Sequence, residues 1–202
     1  MPLSSHTSLR VDNHRRRLMI AGVGLVGALV AGCASPPRID GATAGPSFDR
    51  TGRFALLVER HNAEQEAVQG GFAWRDTSAG QRLDLANPLG NTLARIDLQP
   101  GRAVLTRSNG AVEQATSPDA LVEQVLGSPI PVAGLRYWLR GRLAPGPAEH
   151  VEKDADGRLY RFAQQDWRVE LSRYDELGPR LLRLRRTEAA RDISLRLVVD
   201  GQ

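Results

Sequence analysis

From Phe54 onward the chain alternates between apolar and polar positions. In FALLVER, Phe54, Leu56 and Val58 share one parity. In QGGFAWR, Phe72 and Trp74 oppose Ala73 and Arg75; in RLDLA, Leu83 and Leu85 oppose Arg82 and Asp84. Ala94, Ile96 and Leu98 continue the pattern against Arg95 and Asp97, and RAVLT adds a short run before Asn109-Gly110. Asn-Gly is a strong hairpin signal, so a return strand over Val112–Ala115 is expected. Alternation resumes at Glu149–Lys153 and Leu159–Gln164, on either side of the turn sequence DADG. It continues through Trp167, Val169 and Leu171, through Leu182 and Leu184, and through Ile193, Leu195, Leu197 and Val199. A period of two predicts strands with one buried and one wet face. About eleven strands are expected.

Two segments break the period. In TSPDALVEQVLGSP, Ser117 suits a helix N-cap, Pro118 the first helical position and Gly127 the residue past the end. Leu121/Val125 and Val122/Leu126 recur at i,i+4. In PIPVAGLRYWLRG, Val132, Leu135, Trp138 and Leu139 form one helical stripe before Gly141. Helices this short need tertiary partners. The expected class is therefore mainly β (α+β): a single curled antiparallel sheet of about eleven strands forming an incomplete barrel, with short helices laid over its concave side. Phe54, Leu56, Phe72, Trp74, Leu83, Leu85, Ile96, Leu135, Trp138, Phe162 and Trp167 point into that space. They either fill a core or line an apolar cavity.

One turn stands out. In LDLANPLGNTLARIDL, Asn87-Pro88-Leu89-Gly90 fits a type I turn, with Asn first, Pro second and Gly fourth. That chemistry explains Asn87, Pro88 and Gly90 but not a leucine at the tip. A lone exposed leucine is common, so Leu89 gains meaning only from context.

The N-terminus supplies context. Arg10 and Arg15 to Arg17 precede LMIAGVGLVGALV, an uncharged run of 13 residues. That is too short for a comfortable membrane span and suits a signal-peptide core. VAGC follows, ending in Cys33, the chain's one cysteine. The order resembles the lipobox of bacterial lipoproteins, in which the cysteine is acylated after removal of the preceding residues. The other reading is a stray thiol after an ordinary export signal, and HRRRLM faintly resembles a twin-arginine signal. Removing residues 1–32, with four Arg and one Asp, leaves 23 basic and 22 acidic side chains, a net of +1. The basic character of the whole sequence thus says little about partners. No nucleic-acid motif accompanies it. The domain organisation expected is 1–32 signal peptide, 33–50 acylated N-terminus and Pro/Gly/Ala/Ser-rich tether, and 51–202 folded domain.

Catalytic signals are sparse. His61 and His150 sit in no metal or triad motif, and the chain has no nucleophile elbow, metalloprotease motif or P-loop. No catalytic residue, metal or cofactor is expected, and no ATP use. RLLRLRR, residues 180–186, carries an arginine-rich outer face to which the pattern assigns no role.

Taken in order, the lipobox, GGFAWR, LDLANPLGNTLARIDLQPG and IPVAGLRYWLRG resemble the LolB family. The resemblance implies an outer-membrane lipoprotein, facing the periplasm, anchored through Cys33. Ala34, rather than Asp, after the cysteine agrees with outer-membrane sorting in that family. It implies an incomplete barrel around an apolar cavity that receives acylated cargo lipoproteins from a LolA-like periplasmic carrier. It also implies a protruding loop, here Pro88, Leu89 and Gly90, that places cargo in the outer-membrane inner leaflet. Three acyl chains expose roughly forty methylenes, costing on the order of 30 kcal/mol in water, so cargo must travel inside an apolar carrier. A monomer is expected. The alternative is an outer-membrane lipoprotein that binds another lipid or scaffolds envelope partners.

Overall fold

The computed structural model describes residues 47–61 and 63–201. The expected signal peptide, Cys33 and nearly all of the expected tether lie outside the described residues.

Eleven strands form one antiparallel sheet: β1 (Phe48–Arg60), β2 (Glu66–Thr77), β3 (Gly80–Ala86), β4 (Thr92–Gln99), β5 (Arg102–Arg107), β6 (Val112–Ala115), β7 (Glu149–Lys153), β8 (Leu159–Gln164), β9 (Trp167–Tyr174), β10 (Pro179–Thr187) and β11 (Arg191–Val199). Their spatial order is β6-β5-β4-β3-β2-β1-β11-β10-β9-β8-β7. The chain's first strand is thus the centre of the sheet, and the two halves of the sequence spread from it. β6 and β7 are unpaired edges, so the barrel is incomplete. Between them in sequence lie α1 (Pro118–Leu126) and α2 (Val132–Trp138). The mainly β class, the eleven strands and the two helices agree with the alternation. β1 begins at Phe48, three residues before the expected domain start, because Phe48 and Arg50 already pair with β2.

Register follows parity. Phe54 opposes Leu197 and Gly70, Trp74 opposes Leu83, and Leu83 opposes Ile96. One face of every long strand is therefore apolar and buried. Two glycines let the central strands bend tightly. A Cβ on Gly70 would stand 2.1 Å from the Ala86 carbonyl oxygen and 3.1 Å from the Phe54 ring. One on Gly52 would stand 2.2 Å from the Val198 carbonyl oxygen and 2.9 Å from the Phe72 ring. Each phenylalanine thus covers the glycine opposite it, a pairing that shields backbone where curvature leaves no room for a side chain.

Candidate functional site

The inward residues meet two helices. α1 is capped as the sequence suggests: the Ser117 hydroxyl accepts from Ala120 N–H and Gly127 takes the left-handed conformation, φ 69°. It buries Leu121, Val122 and Leu126. α2 buries Val132, Leu135 and Trp138 and has no side-chain cap of its own. Asp119, in the first turn of α1, supplies one: its carboxylate accepts from Ala133 N–H at 3.1 Å. Burial raises the Asp119 pKa, an effect moderated by the Ala133 and Val132 N–H groups. The two helices are thus joined to each other by a partly desolvated carboxylate.

α2 is also fastened to the sheet by polar groups. Asp76 of β2 is buried and pairs with Arg136 at 3.0 Å and Arg140 at 2.8 Å. Gln164 of β8 accepts from Trp138 Nε1 at 3.1 Å and exchanges hydrogen bonds with the backbone of Ala144. Trp138 and Phe162 meet edge to face, centroids 5.8 Å apart. Apart from the Asp119 bridge to α2, α1 has no comparable polar fastening among the described residues, and its hold is mostly apolar.

Between sheet and helices lies a void of about 30 Å³ lined only by apolar side chains: Phe54, Phe72, Trp74, Leu83, Leu85 and Leu135 among the sequence candidates. Val122, Leu126, Ile130, Leu139, Leu195 and Leu197 complete it. The other candidates, Leu56, Ile96, Trp138, Phe162 and Trp167, are buried on the same face but do not border the void. Alternation reports which face a residue occupies, not how far along the curled sheet it sits. The void is the size of about one water and far below the ~150 Å³ that admits benzene. A larger, more polar space of about 450 Å³ lies where the β2–β3 and β4–β5 turns meet the helix starts, bordered by Gly80, Leu98, Ala103, Pro118, Ala133 and Tyr137 among others.

A charge is buried at the end of the sheet where β1 begins. Arg50 is 2% exposed, donates to Asp175 at 2.8 Å and to the Pro179 carbonyl at 3.1 Å, and leaves its Nε–H unpaired. Its direct cross-strand neighbour, Trp74, also has an unpaired indole N–H. The Asp175 pKa is lowered: burial pushes it up, but the Arg50 hydrogen bond and charge and the Leu177 and Gly178 N–H groups outweigh that. Sequence reasoning missed Arg50, Asp76 and Gln164. All three sit at inward parity, which was the available signal for Asp76 and Gln164, whereas the expected tether ran through residue 50; their partners lie up to 129 residues away.

At the opposite end of the sheet the β3–β4 turn projects. Gly90 N–H donates to the Asn87 carbonyl at 2.9 Å, and the Asn87 side chain accepts from Leu89 and Asn91 N–H, each at 3.0 Å. Pro88, Leu89 and Gly90 are exposed, Leu89 at 82%. The β5–β6 turn lies beside it, with Ser108 N–H donating to the Leu93 carbonyl. Leu93 and Val112 are exposed apolar residues of these two hairpins. His61 and His150 are exposed and lie apart from the interior.

Comparison with known proteins bears on this arrangement. A family model described as "Outer membrane lipoprotein LolB" matches residues 46–201. An outer-membrane lipoprotein LolB of Bordetella petrii is 54% identical over 173 residues, 85% of this chain and 87% of that protein. The Bordetella pertussis protein of the same name is 52% identical over the same shares. That of Cupriavidus necator is 38% identical over 194 residues, 93% of this chain and 98% of that protein. Among solved structures, a LolA superfamily protein from Nitrosomonas europaea superposes with a TM-score of 0.40 at 8% identity, over 76% of this chain and 84% of that one. With the family match spanning every strand and both helices, the chain belongs to the LolB family, outer-membrane lipoproteins of the lipoprotein-localisation pathway.

Proposed function

We propose that the protein takes acylated lipoproteins from a LolA-like periplasmic carrier into the space between sheet and helices and inserts them into the outer membrane, without ATP and without a catalytic step. The observation that carries this reading is the wholly apolar void beneath two short helices. Its small size makes the helices the door. The three buried side chains of α1 hold it with about 5–9 kcal/mol, at ~1.5–3 kcal/mol each. One acyl chain of about fourteen methylenes gains roughly 11 kcal/mol on leaving water. A single chain can therefore offset displacement of α1, while α2 stays fastened through Asp76 and Gln164.

Delivery is assigned to the β3–β4 turn. Asn87 holds the loop rigid and Leu89 outward. Burying Leu89 in a bilayer contributes only ~1.5–3 kcal/mol, enough to orient the hairpin but not to anchor the protein. Anchoring falls to an acylated Cys33. Leu89 lies about eight residues of strand rise, roughly 26 Å, from the start of β1. The fourteen residues from Cys33 to Pro46 can span up to ~50 Å, so anchor and Leu89 can meet the same bilayer.

The test is transfer. The chain from Ala34 onward, which contains all eleven strands and both helices, is mixed with carrier loaded with an acylated lipoprotein in the absence of nucleotide. Cargo moves to this chain if the proposal holds; cargo that stays on the carrier refutes it. The small size of the apolar void favours one alternative, an outer-membrane lipoprotein that scaffolds envelope partners or binds a different lipid. That alternative predicts no cargo uptake.

A further inference from the structure

The outward face of the sheet treats its arginines in two different ways. Across β2–β4 each outward arginine has an aspartate directly opposite on one side, even where Arg75 and Arg82 also oppose each other. Arg75 pairs with Asp49 at 2.8 Å, Arg82 with Asp97 at 2.7 Å and Arg95 with Asp84 at 2.7 Å, all directly opposite across neighbouring strands. Across β9–β11 arginine faces arginine. Arg168 lies directly opposite Arg185, and Arg183 directly opposite Arg196. All four are exposed. Arg183 has one ion pair, with Glu170 at 2.8 Å; Arg168, Arg185 and Arg196 have none among the described residues. Arg161, in the same row as Arg183, pairs with Glu152. Toward the turn that carries Leu89 the patch ends at the row of Asp192 and Glu59.

Like charges directly opposite on a sheet destabilise it. Elsewhere in the same sheet the opposed pair Arg75 and Arg82 is neutralised by Asp49 and Asp97, whereas Arg168, Arg185 and Arg196 have no ion pair among the described residues, so composition alone does not account for the pattern. Guanidinium groups also match phosphate geometry better than any other side chain.

We infer that the convex face of β9–β11 is a docking surface for the phosphates of an anionic phospholipid bilayer. Its size argues for lipid over protein. The four arginines span three strands about 4.8 Å apart and two rows about 7 Å apart, an area of roughly a few hundred Å² with side chains spread. A stable protein partner needs ~800 Å² on each side. Weak contacts suffice for a bilayer because the acyl tether keeps the face at high effective concentration. Arg196 lies opposite Ala55 of β1, the strand that continues the tether. β10 is four strands from β3, so this contact is separate from that of Leu89.

The inference rests on Cys33 being the lipid anchor; the test does not need the acyl group. The chain from Ala34 onward is mixed with vesicles of phosphatidylethanolamine alone or with about 30 mol% phosphatidylglycerol, at roughly 50 and 500 mM salt, a range over which surface charge passes from weakly to strongly screened. Vesicle affinity is expected to rise about tenfold or more with phosphatidylglycerol at low salt and to lose that rise at high salt. The variant Arg168→Gln, Arg183→Gln, Arg185→Gln, Arg196→Gln should lose the increment while keeping its circular dichroism and melting no lower than the parent, since the opposed like charges are relieved. Leu89→Glu should keep the increment. Equal affinity for the two vesicle types overturns the inference, as does an increment that survives in the quadruple variant. So does a quadruple variant whose only loss is binding to an acidic protein partner. Cargo uptake by the unmodified chain is scored separately, so failure of transfer and failure of lipid docking are distinguishable.

Discussion

Leu89 is held out of the protein by hydrogen bonds made by its neighbours. The turn needs Asn87 for its carboxamide and Gly90 for its φ of 86°, and it needs nothing from the leucine side chain. Leu89→Glu should therefore leave stability within about 0.5 kcal/mol of the parent. It should also leave cargo uptake unchanged and abolish delivery to vesicles. Unchanged delivery would remove Leu89 from the mechanism. Arg50 is the contrary case, a charge that packing has buried. Its partner Asp175 has a lowered pKa, so its ion pair contributes stability above the unfolded carboxylate value, and that contribution is lost as pH falls through the folded value. Asp175→Asn should cost about 2–3 kcal/mol at neutral pH, because it leaves a buried guanidinium unpaired. The gap in melting temperature between the two proteins should close on acidification below the ordinary carboxylate range. A pH-independent gap would mean that the loss is one of packing. The Leu89 turn was legible in sequence because its chemistry is local. Arg50 was not legible: the expected tether ran through residue 50, and its partner Asp175 is 125 residues away with no local rule to connect them.

At the scale of elements, the caps of α1 could be read in advance because Ser117, Pro118 and Gly127 belong to the helix they terminate. The cap of α2 could not, since α1 provides it through Asp119. The sheet was legible as eleven alternating runs, but their order was not. Alternation gives faces, and only the hydrogen-bonded register puts β1 at the centre and leaves β6 and β7 as edges. That missing order is also why five inward residues do not border the void. The helices divide into a fastened α2 and an α1 held mostly by apolar contact. Asp76→Ala removes the ion pairs to Arg136 of α2 and to Arg140 just beyond it. It should accelerate amide hydrogen exchange across residues 132–142, with little change in the central strands β1, β2 and β11. Exchange that rises equally throughout would show that Asp76 supports the whole fold and not the helix in particular. Trp138→Ala should cost ~3–5 kcal/mol, read from denaturant midpoints, since the ring is fully buried and hydrogen-bonded to Gln164.

The described residues form an open curled sheet whose two edges are joined in sequence by the helices that cover its interior. Such connections make the cover a distinct part, and under the proposed function the small size of the apolar void makes its movement necessary for cargo to enter. Alternation and helix patterning were enough to anticipate the architecture, while the state of the interior depended on side-chain volumes at positions brought together from several elements. The central claim is that acyl chains enter between sheet and helices. It is tested most directly by placing a photoreactive amino acid at Leu135, inside, and at Ala55, on the outer face, then illuminating during transfer of a lipoprotein with labelled acyl chains. The account predicts cross-linking to the acyl label from position 135 and none from position 55. Label captured from position 55 alone, or from neither while cargo still transfers, would contradict it.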